Sequence, residues 1–474
     1  MTGTRSFGTA LVGLVALELV LAATGHPLAI AVPLAFIALV LILNARDSAL
    51  VLACVGLVTI SWDRVSIRVG GMTVKPAYVA FMLALLFILF ERRRTDQPAA
   101  EPAARTRLKV IRDAVVLSLV LLCLATGASG YLLEGSRQLF AIVVGALIPA
   151  WVCYRLGRSP ERRNVLLSWA LIGAGIAAAF GIFQFVARSV GLPTPLPYEG
   201  VGGDLGRAAG FSYEPAFFSM YLVSLIPLLT VVLLQSRGGG TPEIRCAPRT
   251  LFFLLLIGVF VSNARAGYLV LPLAVLLPLV TRGRRRDVKA RPVALAAGAA
   301  TAVLLVSFVV GFDVGNFLQR RFASITDTSE PVSNAPRLVL YDTARRIAGD
   351  HLVLGIGPGT LGYRLPEYGF PLEYPGFSID PTRAVANNIW LQAALDAGVA
   401  GALGLVVIVG GVGALAVRCR DRYGRQLAVG CVLVLLVGGL LTSIAWDAKY
   451  WVLIGLALAA DMSPTRERSP LVNA

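Results

Sequence analysis

Two arginines stand where an arginine is costly. Arg265 lies in Ser262-Asn263-Ala264-Arg265-Ala266-Gly267, between two apolar runs and with no acid beside it. A charge at that depth is expensive unless it is paired, and a bound phosphate would pair it. The plain alternative is that it snorkels to the lipid headgroups. Arg337 follows Ser333-Asn334-Ala335-Pro336, a helix-start signal with proline in the first turn. It therefore stands at the positive end of a helix, which also suits an anion. The helix pattern runs to Gly349, near 336–349. Leu340, Tyr341, Ala344, Ile347 and Ala348 share its apolar face, and Asp342, Arg345 and Arg346 its solvated one. Such a helix is expected to lie on a membrane surface, with Tyr341 a candidate for contact with a ligand.

Other polar places could share that chemistry. The stretch from Glu199 to Pro215 is glycine-rich, allows a tight backbone loop, and carries Arg207, Tyr213 and Glu214. Pro215 suits the first turn of the helix that follows, with Glu214 near its positive end, so a helix cap is the simple reading. Leu354-Gly355-Ile356-Gly357-Pro358-Gly359-Thr360-Leu361-Gly362 fits a dinucleotide fingerprint on paper. No strand of a βαβ unit precedes it, so that reading is rejected. A rigid turn in which Gly357 and Gly359 let backbone approach a ligand is the expectation instead. Tyr363, Tyr368, Phe370, Tyr374 and Phe377 could stack on a sugar or sit at the headgroup level. Arg383, Asn387 and Asn388 then lead back into an apolar run. The asparagines can hold a hydroxyl, or one can serve as an N-cap.

The chain that carries these groups is 57% hydrophobic and 15% charged over 474 residues, with a mean hydropathy of +0.75. A soluble domain carries about 25% charged residues. The expected class is therefore an all-α integral membrane protein of about 12–14 transmembrane helices. The net charge of +16 would suggest nucleic acid in a soluble protein, but no nucleic-acid motif accompanies it. The basic residues cluster at Arg92 to Arg112, Arg155 to Arg163, Arg237 to Arg249, Arg282 to Arg291, Arg418 to Arg425 and Arg466 to Arg468, in every second loop. Those loops are expected to be cytoplasmic. The segment Thr95–Arg107 is expected to be a cytoplasmic linker. The run after Arg5 lacks a small-residue cleavage site and is taken as a retained first helix.

The organisation that follows has spans within 1–311, among them Phe7–Ala23, Leu28–Leu43, Pro76–Phe90 and Pro292–Gly311, an extracytoplasmic cap over 312–386, further spans over 387–461 and a tail over 462–474. A loop as long as the cap calls for a functional reason. Six cysteines without a C-x-x-C pair and two histidines, His26 and His351, give no metal cluster and no disulfide framework. No cofactor or metal is expected.

In order along the chain, these motifs resemble the O-antigen ligase and O-antigen polymerase superfamily of bacterial envelope glycosyltransferases. The resemblance rests on Tyr213-Glu214-Pro215, on Ser262 to Gly267 with Arg265, and on Arg337. It continues through Leu354 to Gly359, Asn387-Asn388-Ile389-Trp390-Leu391-Gln392 and Gly398. It implies metal-independent, inverting transfer from a polyprenyl-diphosphate-linked glycan to a glycan or glycolipid acceptor, on the outer side of the bacterial plasma membrane. By it, Arg265 and Arg337 would hold the diphosphate, a match for the forked guanidinium. Ligases of this family usually carry a histidine where Asn387 stands. Its absence favours a polymerase or another envelope glycan transferase over a lipid A-core ligase, and leaves Glu214, His351 or Asp380 to take the acceptor proton, or a transition state loose enough to need little base help. A flippase of lipid-linked oligosaccharide is the alternative.

Overall fold

The computed structural model describes residues 47–69, 72–90, 102–196, 207–236, 247–280, 335–374, 377–443 and 445–463. The spans expected over Phe7–Ala23, Leu28–Leu43 and Pro292–Gly311, and the start of the cap, lie outside the described residues. In chain order the helices are α1 (Ser48–Thr59), α2 (Pro76–Phe90), α3 (Pro102–Ala128), α4 (Leu132–Gly157, with a π turn at Val143–Leu147) and α5 (Pro160–Ser189). Then come α6 (Pro215–Ser236), α7 (Pro248–Val261), α8 (Arg265–Val280), α9 (Ala335–Asp350), α10 (Ile389–Arg418), α11 (Arg422–Leu436) and α12 (Ala448–Met462). Most open on or beside proline or an Asp/Asn cap: Asp421 and Asp447 accept backbone N–H groups at the starts of α11 and α12.

Five helical stretches among the described residues are long and apolar enough to cross a membrane: Leu132–Gly157, Pro160–Ser189, Pro215–Leu233, Ile389–Arg418 and Arg422–Leu440. Four shorter apolar helices, α1, α2, α7 and the Arg265–Pro278 part of α8, accompany them. The core forms chiefly around α1, α5, α6, α11 and α12. The apolar window of α6 is 89% buried and that of α10 only 33%, so α6 is central and α10 peripheral. Exposed Leu89 and Phe90 on α2, Leu117 and Leu124 on α3, and Leu403 and Val406 on α10 give the bundle an apolar outer surface. Lipid is the solvent that suits it.

The all-α expectation holds apart from two small antiparallel hairpins. One is β1 (Ile67–Val69) with β2 (Met72–Val74); the other is β3 (Glu373–Tyr374) with β4 (Phe377–Ser378). Two expectations need correction. The expected linker Thr95–Arg107 is helical from Pro102, because Arg107 reaches back to Asp461 in a two-pronged pair at 2.9 and 2.8 Å. The apolar face of α9 is not left for a membrane surface. Leu340, Ala344, Ile347 and Ala348 pack into a separate cap core with Ile356, Leu361, Leu365, Phe370 and Leu395. Tyr341 is 43% exposed and stands off that face.

Candidate functional site

Helices α6, α7 and α8 bring several of the candidate residues to one end of the bundle. The loop from Arg207 to Glu214 is tied to the tip of α7 by Ala208 N–H donating to Val261 O at 3.1 Å. Phe211 from this loop stacks on Phe180 of α5, with ring centroids 4.2 Å apart. Gln184 of α5 donates to the carbonyls of Leu196 and Gly210. Arg265 opens α8, and Gly267 lies against Ser219 near the start of α6. Arg207, Tyr213, Glu214 and Arg265 thus belong to three adjoining tips.

A buried charge network supports those tips, and the sequence reading missed it. Lys449 of α12, fully buried, donates to Asp63 at 2.8 Å and lies 2.9 Å from Asp447. Lys75 donates to the other oxygen of Asp63 at 2.6 Å. Burial alone would raise the Asp63 carboxyl, but the ammonium groups of Lys449 and Lys75 hold it below the ordinary carboxylate range. Two acids and two lysines balance, as a charge cluster out of water must. Lys75 also lies 5.5 Å from the ring centroid of Tyr213, whose hydroxyl is 3.4 Å from Ser66 Oγ. The β1–β2 hairpin is therefore fastened to the bundle and braces Tyr213. A lysine inside an apolar run, as at Lys449, was the signal available in the sequence.

The cap joins the bundle through a break in α10. Ala397 and Gly398 leave helical geometry, Gly398 with φ 68° and ψ −163°. Into that break the cap inserts its backbone: Ile356 N–H donates to Leu395 O at 2.6 Å, and Val399 N–H to Leu352 O at 2.8 Å. Gly355 and Gly398 both have positive φ, and a Cβ on either would overlap backbone atoms of the other segment. Gly357 rests on Ser129, in the turn between α3 and α4, and Gly359 on Gln138 of α4. In the described structure the glycine motif thus brings cap backbone against bundle backbone.

The remaining candidates fall around this junction. His351 ends α9, and its carbonyl accepts Gly355 N–H at 2.9 Å. Asn388 is the N-cap of α10: its Oδ1 accepts the N–H groups of Trp390 and Leu391 at 2.9 and 3.1 Å. Asn387 has a left-handed backbone with φ 54°. Asp380 caps the turn Pro381–Arg383 by accepting Thr382 N–H. Tyr363 stacks on Tyr131 at 5.2 Å, Tyr368 donates to Asp350 at 2.8 Å and Phe370 is buried in the cap core. Arg337 stands in the first turn of α9, and Arg383 in a short helical turn before α10. The side chains of these two arginines lie outside the described ones.

A further acid, Asp396, is buried beside the helix break and accepts a hydrogen bond from Gln392 at 2.7 Å. It borders a cavity of about 30 Å³ with Ser118, Leu122 and Trp446. That is room for a water or two and far too little for a sugar.

Residues 250–406 match the Wzy_C family model, described as O-antigen ligase. The match takes in α7, α8, α9, the cap and the first half of α10. The resemblance read from Arg265, Gly355 to Gly359 and Asn387 to Gly398 is borne out over that stretch. Arg207, Tyr213 and Glu214 precede it. No curated protein matches the chain.

Proposed function

We propose that this protein, which carries the O-antigen ligase signature, transfers a glycan from a polyprenyl-diphosphate donor to a hydroxyl of an acceptor glycan or glycolipid. We place the reaction at the outer face of a bacterial plasma membrane, in a bundle of 12–14 spans. The observation that carries the reading is the match over 250–406, with Arg265 opening α8 inside it. Helix start and guanidinium both favour an anion there. Arg337, at the start of α9, is proposed to complete the grip on the diphosphate.

In the step, the acceptor oxygen bonds to the anomeric carbon as the bond from that carbon to the diphosphate oxygen breaks. The electron pair leaves on the diphosphate, where Arg265 and Arg337 stabilise it. No histidine stands at Asn387, so another group must receive the acceptor proton. Glu214 is the proposed acceptor, because it shares the α6–α8 end with Arg265. Arg207 and Tyr213 line the same mouth, with Gly357, Gly359, Arg383, Asn387 and Asn388 on the cap side. His351, Asp380 and Tyr341 are less favoured: His351 ends α9, Asp380 is engaged in its turn and Tyr341 faces outward.

The test is transfer by purified protein in liposomes carrying lipid-linked glycan. Arg265→Ala is expected to lose on the order of 10²–10³-fold in rate with an unchanged unfolding temperature. Full activity in Arg265→Ala and Arg337→Ala removes the reading. One observation favours a flippase: α10 is discontinuous, as many transporter helices are. A liposome assay in which the glycan changes sides without changing length would establish that instead.

A further inference from the structure

We infer that Asn263 is a sugar-binding residue, hydrogen-bonding a hydroxyl of the donor glycan next to the diphosphate. This rests on the donor-site reading above and goes beyond it by naming the residue that reads the sugar. Asn263 is 3% exposed. Neither Nδ2 nor Oδ1 has a hydrogen-bond partner among the described residues. Its backbone is left-handed, with φ 51°. The flanking Ser262 shows what a settled residue there looks like: its hydroxyl donates to Val259 O at 2.6 Å and accepts Ala264 N–H at 3.2 Å.

A buried amide without partners and a left-handed non-glycine backbone both cost stability, and glycine would relieve both. Such costs gather where a ligand is to be met. The chemistry of the side chain names the ligand. A carboxamide offers an acceptor and two donors, whereas a diphosphate only accepts. A sugar hydroxyl both gives and takes, so it matches both ends of the amide. Arg265 follows two residues later at the start of α8, and Ala208 N–H holds the Arg207 loop against Val261 two residues earlier. A lipid-linked glycan seated by its diphosphate at Arg265 would present its first sugar to Asn263.

The experiment compares binding of two probes to the whole protein in nanodiscs: polyprenyl diphosphate alone, and the lipid-linked glycan extracted from cells lacking the protein. In Asn263→Gly, affinity for the glycan-linked lipid is expected to fall about tenfold, the worth of one or two hydrogen bonds. Affinity for bare polyprenyl diphosphate should stay within about twofold by the same scale, and the unfolding temperature should hold or rise. Asn263→Ala keeps the strained backbone and should show the same split. Unchanged affinity for both probes overturns the inference, and so does an equal loss on both. If Arg265→Ala leaves bare diphosphate binding intact, the donor-site reading itself has failed and takes this inference with it.

Discussion

The two ends of the helical bundle both pair their charges but differ in backbone strain. At the basic end, arginines meet aspartates across the fold. Arg107 grips Asp461, Arg162 reaches Asp47 at 2.8 Å, and Arg163 reaches Asp421 at 3.0 Å while donating to Ser463 at 2.6 Å. These bonds close α12 and α11 onto earlier helices. At the cap end, the non-glycine residues with positive φ among those described, Leu196, Asn263 and Asn387, are all gathered. So is the broken turn of α10. Both ends pair charges, the cap end through Asp63, Lys75 and Lys449, but the left-handed non-glycine backbone and the helix break among the described residues fall at the cap end. That difference supports the proposal that the cap end is the functional one.

The comparison can be broken or sharpened by mutation. The largest effect is expected from Lys449→Met, which leaves Asp63 and Asp447 with one buried cation too few. A loss of about 3–5 kcal/mol in unfolding free energy is expected, partly recovered by adding Asp63→Asn. A neutral result would mean the network is not the brace of the cap end. Gly398→Ala comes next, at roughly 2–4 kcal/mol, since its Cβ would overlap the carbonyls of Leu352 and Val353. Limited proteolysis should then cut the cap over 335–386 faster while α11 and α12 stay protected; equal protection would refute the splice. Asn388→Ala should lower stability by about 1 kcal/mol as a lost N-cap; a much larger fall in transfer than in stability would add a ligand role. The smallest effect belongs to Asp342→Ala, whose pair with Arg345 is 56% and 72% exposed. Less than about 0.5 kcal/mol is expected in chemical unfolding.

Much of the architecture was legible because a bilayer imposes its demands locally. Apolar length and basic loops gave most helices to within a few residues: α2 was expected over Pro76–Phe90 and is found there. The helix expected near 336–349 runs Ala335–Asp350. Arg265 was legible as a candidate because an arginine between apolar runs, with no acid beside it in sequence, demands an explanation. What misled was contact. Whether an apolar face meets lipid or the cap core, as for α9, depends on residues far along the chain. Gly357 and Gly359, read as ligand-facing backbone, also lie against Ser129 and Gln138, a contact that no local pattern announces.

The sequence by itself determined that this chain has the composition of a membrane protein, where most of its described helices lie to within a few residues, and which short motifs resemble the O-antigen ligase family. Each of these follows from hydropathy, charge or residue type within a short window. Only the tertiary structure decided that Asp63 and Lys449, nearly four hundred positions apart, neutralise one another. Only it placed cap backbone in the break of α10 and left the Asn263 amide without a partner among the described residues. Pairing and its absence are properties of three-dimensional neighbours, and no local window contains them.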